Sequence, residues 1–166
     1  MRNIILTALI IICLALGGCA VARVNADGSQ TLLMLSGDEF TGQGAMDLMN
    51  GGGVTGRGRL NMKNGDVYLG PVVNGKPHGQ GKLSRQNGEQ YEGGFVEGLY
   101  HGEGRLLAND GTEYQGGFEF GNKHGRGREI YQDRNGTYDV AYKKGRLVSS
   151  TLLIERDSRT TRITEK

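Results

Sequence analysis

GEQYEGGFVEGLYHGEGRL, from Gly88 to Leu106, decides the fold, because the chain writes it three times. The copy before it, GDVYLGPVVNGKPHGQGKL, starts at Gly65, and the copy after it, GTEYQGGFEFGNKHGRGRE, starts at Gly111. Tyr68, Tyr91 and Tyr114 are 23 residues apart, and so are Gly75, Gly98 and Gly121. The three histidines of the chain, His78, His101 and His124, keep the same step. Each is followed by a G-x-G: Gly79 and Gly81, Gly102 and Gly104, Gly125 and Gly127. A fixed period of this length implies an array of like supersecondary units rather than one globular core. Such arrays present surfaces and rarely carry out chemistry by themselves.

Each unit reads as a β-hairpin. In a strand, residues two apart share a face. Tyr91, Gly93 and Phe95 therefore lie on one side, as do Tyr114, Gly116 and Phe118. On the return strand Gly102, Gly104 and Leu106 share a face. Glycine weakens a strand, so these positions demand its small size, leaving bare backbone for neighbouring rings to cover. The other face is polar, with Glu92, Glu103 and Arg105. Asn64-Gly65, Asn87-Gly88, Asp110-Gly111 and Asn135-Gly136 mark tight hairpin connections.

The units resemble the MORN repeat, whose pattern is roughly Y-x-G-x-aromatic-x-x-G-x-x-x-G-x-G. The second and third copies fit at every motif position, and the first departs once, with Val72 in place of an aromatic. The resemblance implies an all-β fold, an elongated single-layer antiparallel sheet of tandem β-hairpin repeats. Its structural glycines fall on Gly70, Gly75, Gly79 and Gly81, then Gly93, Gly98, Gly102 and Gly104, then Gly116, Gly121, Gly125 and Gly127. The rings at Tyr68, Tyr91, Phe95, Tyr114, Phe118 and Phe120 are the candidate binding face.

Three repeats occupy 65–130. A degenerate copy at 37–64 begins as GDEFTG and ends as GRGRL, with an insertion over 43–55 whose Met46, Leu48 and Met49 suit a short helix. At 131–155, Tyr138, Tyr142 and Gly145 mark a half-repeat and LVSSTLLIE a last strand, with Val140 in place of the motif glycine. Residues 156–166 read as a frayed polar tail. Between 19 and 36, VARV and TLLML flank Asp27-Gly28 as a capping hairpin; solenoid ends need such cover.

Residues 1–18 read as a leader peptide. Arg2 precedes an apolar run from Ile4 to Leu16, too short for a comfortable membrane span. Leu16-Gly17-Gly18-Cys19 resembles a bacterial lipobox, with cleavage between Gly18 and Cys19 and lipid on Cys19. The mature chain of 148 residues would then keep no free thiol, since Cys13 leaves with the leader. Each buried methylene contributes roughly 0.8 kcal/mol, so more than one acyl chain holds the protein on a membrane. Ala20 after the cysteine is not the aspartate associated with inner-membrane retention. That resemblance implies the periplasmic face of the outer membrane in a Gram-negative source.

Other chemistries find little support. Equivalent residues of successive hairpins sit about 10 Å apart, whereas zinc ligands must all lie about 2 Å from one ion; the histidines read as turn and packing residues, and no metal or cofactor is expected beyond the lipid. Glu92, Glu97, Glu103 and Glu119 are scattered, and the glycines follow hairpin spacing rather than a phosphate-binding loop. A formal charge of +2 with no basic block argues against nucleic acid. The expectation is a non-catalytic envelope scaffold that binds an unidentified envelope protein, with a homodimer as a further expectation. Direct phospholipid binding and envelope-glycan binding are the alternatives.

Overall fold

The backbone is described for residues 9–14, 18–34, 36–47, 53–132, 136–156 and 159–164 of a computed structural model, and side chains for 23–34, 36–43, 53–132 and 136–153. Every regular element among these residues is a β-strand. The chain divides into two compact units, 1–86 and 87–166. Each is an antiparallel sheet of consecutive hairpins, as expected.

The first unit runs β1 (Leu9–Leu14), β2 (Gly18–Val24), β3 (Gln30–Leu33), β4 (Glu39–Asp47), β5 (Gly53–Asn61), β6 (Val67–Val73), β7 (Lys76–Pro77) and β8 (Gly79–Ser84). Strands β1 to β6 pair in chain order, and β6 also pairs with β7 and β8. The capping hairpin is β2–β3, in register Val21↔Leu33 to Val24↔Gln30. Of the leader, residues 1–8 and 15–17 lie outside the described residues; in the uncleaved chain Leu9–Leu14 lies along β2. The side chains of Gly18 and Cys19 are also outside the description.

The second unit runs β9 (Gln90–Val96), β10 (Leu99–Leu107), β11 (Glu113–Glu119), β12 (Asn122–Tyr131), β13 (Gly136–Lys143), β14 (Arg146–Arg156) and β15 (Arg159–Thr164). All pair in chain order. The tail expected to fray instead lays its backbone along β14, from Arg156↔Arg159 to Thr151↔Thr164.

One row of paired residues forms the core of each unit. It reads Leu32–Phe40–Leu60–Tyr68–Leu83 in the first. In the second it reads Tyr91–Leu106–Tyr114–Glu129–Tyr138–Leu152. Beside it runs a row of glycines: Gly42–Gly58–Gly70, and Gly93–Gly104–Gly116–Gly127. Tyr68, Tyr91 and Tyr114 lie down over the glycine row. A Cβ on Gly104 would sit 2.6 Å from Tyr91 Cζ, and one on Gly127 2.6 Å from Tyr114 Cζ. Gly93 and Gly116 are confined first by the opposing backbone, since a Cβ there would stand 2.6 Å from Gly104 Cα and Gly127 Cα, and next by the tyrosine hydroxyl at 2.7 Å.

The insertion forms no helix where it is described. Strands β4 and β5 pair without a break from Glu39↔Asn61 to Asp47↔Gly53, and 48–52 lie outside the described residues. Glycines 42, 44, 56 and 58 would each weaken a helix by about 1 kcal/mol, whereas an opposing strand satisfies their backbone at once. Phe40 opposes Leu60 as Tyr91 opposes Leu106, so the added residues lengthen the hairpin tip and leave the core row intact.

The turns also differ from the expected positions. Two-residue turns with both central residues left-handed close the hairpins at Asn74-Gly75, Glu97-Gly98, Phe120-Gly121 and Lys144-Gly145. The Asn-Gly and Asp-Gly pairs close longer loops at the opposite end. There Gly65 N–H donates to Met62 O at 2.9 Å and Met62 N–H to Asp66 O at 2.8 Å. The Asn64 side chain accepts from Asp66 N–H, and Asp110 from Thr112 N–H, which is why Asn or Asp precedes these glycines. Asn135 lies outside the described residues.

Gly104→Ala is expected to cost about 3 kcal/mol in urea unfolding, at the upper end for overpacking, because the Tyr91 ring has nowhere to go. Gly102→Ala meets nothing within 4 Å and carries only the strain of φ +71°, about 1 kcal/mol.

Candidate functional site

The H-G-x-G segment builds a bulge, and the bulge explains the tyrosine. Gly93 opposes Gly104 and Phe95 opposes Tyr100, so Gly94 faces the whole run from His101 to Glu103. Gly116↔Gly127 and Phe118↔Lys123 repeat this around Gly117. The first glycine of each G-x-G takes the left-handed turn, with φ +61° at Gly79, +71° at Gly102 and +75° at Gly125. Beside the bulge the tyrosine hydroxyl reaches a backbone carbonyl of its own strand. Tyr91 Oη donates to Gly94 O at 3.0 Å, Tyr114 Oη to Gly117 O at 3.1 Å, and Tyr68 Oη to Pro71 O at 3.0 Å. Burial pushes the Tyr68 and Tyr114 phenols up to about 12 and the Tyr91 phenol higher still.

This geometry decides the candidate binding face. Tyr68, Tyr91, Phe95, Tyr114 and Phe118 are buried, Phe118 being the most exposed of them at 4 %. Tyr91 stacks on Tyr100 at 3.8 Å and meets Phe95 and Phe118 edge-on at 5.0 Å; Tyr114 meets Phe118 at 5.3 Å. These rings are the core and offer no surface to a partner. Phe120 alone of the six is exposed, at 62 %. It occupies a left-handed turn position, φ +46°, that favours Asn, Asp or Gly. Its ring lies 5.5 Å from that of His101, and Leu99 beside it is also exposed.

The histidines sit at the bulges and do different things. His78 N–H donates to Pro71 O. His101 Nδ1 is buried without a hydrogen-bond partner. His124 Nδ1 lies 3.0 Å from Glu119 Oε2. Each faces its own surroundings rather than a common point.

A buried polar cluster escaped the reading of the sequence. Glu129 stands in the core row where the first two repeats have Leu83 and Leu106, and Lys123 stands where the second has Tyr100. Lys123 Nζ contacts Glu129 Oε1 at 2.6 Å and lies over the Tyr114 and Tyr142 rings at 4.6 and 5.1 Å. The hydroxyls of Tyr142 and Tyr131 donate to Glu129 at 2.7 Å each. Burial alone would raise the Glu129 carboxyl; the Lys123 ammonium and the two hydroxyls outweigh it and hold it below the usual range. The signal was legible as two simultaneous departures from the 23-residue register.

The opposite face is charged. Arg105 holds Glu113 through two hydrogen bonds of 2.6 Å, and Arg128 Nε lies 3.5 Å from Asp139 Oδ1. A groove of about 530 Å³ crosses β11 to β14, with Ala141 and Ser149 along it and Gln115, Arg126, Arg128 and Thr151 around them. Arg126 has no hydrogen-bond or ion-pair partner among the described residues.

A family model for the MORN repeat matches residues 68–90, 91–113 and 114–136. Each match opens on a core tyrosine and runs through its bulge to the next loop. Among solved structures, the chain is similar to the TCP domain of SAS-4 (dCPAP) of Drosophila melanogaster, in complex with a proline rich motif of Ana2 (dSTIL). The likeness covers 99 % of this chain and 94 % of that one, with a TM-score of 0.50 and 10 % identity, and is one of fold alone. No curated protein matches the chain.

Glu129→Leu strands Lys123 as a partly buried unpaired cation and is expected to cost about 3 kcal/mol in urea unfolding. Adding Lys123→Tyr recreates the pair of the second repeat and recovers most of that loss. The folded Glu129 value lies below the ordinary 4.5. Its contribution is therefore fully present above that pH and lost as pH falls through the folded value; Glu129→Gln flattens this acid limb.

Proposed function

This chain carries three MORN repeats, and from that premise we propose that it is a non-catalytic MORN-repeat lipoprotein that binds another protein at the bacterial cell envelope. The three matched repeats carry the reading, since MORN repeats point to a repeat-based binding role. The anchor in this proposal is lipid on Cys19, after cleavage at Gly18, and the site of action is the periplasmic face of the outer membrane. Binding is assigned to the exposed Phe120 turn with Leu99, because the buried rings have nothing to offer a protein, a sugar or a lipid. The SAS-4 domain, alike in fold, was solved with a proline rich motif of another protein. A short segment of an envelope protein is accordingly the class of partner proposed for this chain.

Fractionation of wild type and Cys19→Ser, with a photo-crosslinker placed at Phe120, tests both halves. Wild type is expected on the membrane, Cys19→Ser released, and a discrete protein adduct formed from position 120 but not from buried position 114. Retention of Cys19→Ser on membranes without an adduct would instead mean that the array binds lipid directly. Retention on isolated cell wall would mean glycan.

A further inference from the structure

The near-zero charge of the chain hides a strong separation in the second unit. From Asn87 to Gly121 there are seven carboxylates against the single cation Arg105, a net −6; from Asn122 to Leu153 there are seven Lys and Arg against three carboxylates, a net +4. The division falls between β11 and β12. Because the core row takes the rings, most of this charge stands on the other face or in the turns. Glu92 and Glu103 are exposed on the acidic side and Arg126 and Arg128 on the basic side.

We propose that this charged face binds a second copy of the chain, face to face about a two-fold axis parallel to the strands between β11 and β12. An interface of this kind must be self-complementary, each patch meeting its counterpart on the other copy. A face that is acidic on one half and basic on the other meets that condition, and an acidic or a basic partner would satisfy only one half. The register agrees. The paired row Glu92–Arg105–Gln115–Arg128–Asp139–Thr151, turned about that axis, sets Arg105 of one copy over Asp139 of its partner and Gln115 over Arg128. It sets Arg126 over Gly117, beside Glu103. Arg126 and Glu103 each lack a hydrogen-bond or ion-pair partner among the described residues of one copy, and the groove at Arg126 has room for a carboxylate side chain. Six strands about 4.8 Å apart, contributing about six residues each, give roughly 600 Å² per copy, at the small end of specific interfaces. Held mainly by charge, the pairing is steered and selected electrostatically and weakened by salt. It requires neither the lipid nor another protein.

The test is co-recovery of two differently tagged full-length copies from detergent-solubilised cells, with circular dichroism confirming that each variant folds. Wild type is expected to co-recover at about 50 mM salt and to fall about tenfold at about 500 mM. Arg126→Glu alone and Glu103→Arg alone each lower co-recovery about tenfold, by setting like charges against each other. Co-expressing Arg126→Glu with Glu103→Arg restores it, because the swapped pair and the native pair then both match. Cys19→Ser co-recovers as wild type does, whatever becomes of the anchor. Absence of wild-type co-recovery, indifference to either reversal, or failure of the mixed pair to recover would each overturn the proposal.

Discussion

A tyrosine ring lying flat along the sheet, over a glycine and with its hydroxyl on a bulge carbonyl, is the contact on which the rest of the structure depends. An upright ring on a sheet face needs a second layer to cover it. A ring lying down is covered by its own sheet, provided the neighbouring position has no side chain. Tyr91 over Gly104 and Tyr114 over Gly127 meet that condition. The bulge is part of the same device, since it sets a backbone carbonyl within reach of the hydroxyl. Period, glycine spacing and the left-handed residue of H-G-x-G are three aspects of one packing requirement. Glycine's loss of backbone entropy in a strand is offset by burial of a large ring and by the hydrogen bond its hydroxyl makes to the backbone.

The departures from the pattern show the same constraint. Val140 and Ser150, paired across β13 and β14, stand where the third repeat pairs Gly116 with Gly127, so the Tyr138 ring cannot lie that way. It turns toward Gly136, where a Cβ would stand 2.8 Å from Tyr138 Cε2, and meets Tyr131 edge-on at 5.4 Å. In the third repeat, Lys123 and Glu129 replace an aromatic and a leucine together, and Tyr142 and Tyr131 supply the remaining hydrogen bonds. A single replacement would leave a buried charge unmatched. Phe120 has no such compensation: it is both exposed and in a left-handed turn, which sets it apart as a surface feature rather than a packing one.

Much of the fold was legible because a strand's side-chain period and a turn's demand for glycine are local facts. Tyr91, Gly93 and Phe95 share a face in the structure as the alternation requires. Alternation assigns a face, though, and does not say whether a ring stands up or lies down. That is why Tyr68, Tyr91, Phe95, Tyr114 and Phe118 read as a binding stripe and prove to be core. The methionines at 46 to 49 suggested a helix by composition, whereas the long-range partner strand at Gly53–Asn61 decides the matter. The Asn-Gly pairs read as two-residue turns, but that geometry needs two left-handed residues, and it falls on Asn74-Gly75 and its equivalents. Arg126 gave no signal as a motif, because its role comes from standing in a groove between strands distant in sequence.

The central claim is that the return-strand glycine exists to admit the tyrosine ring. A double-mutant cycle between Tyr91→Leu and Gly104→Ala, read by urea unfolding, measures it directly. If the ring is the reason, alanine at 104 costs little once the ring is gone, and the two changes couple by about 2 kcal/mol. Gly93→Ala, which meets the opposing backbone at 2.6 Å as well as the Tyr91 hydroxyl at 2.7 Å, should keep most of its cost without the ring. An equal cost of Gly104→Ala with and without the Tyr91 ring would contradict the account.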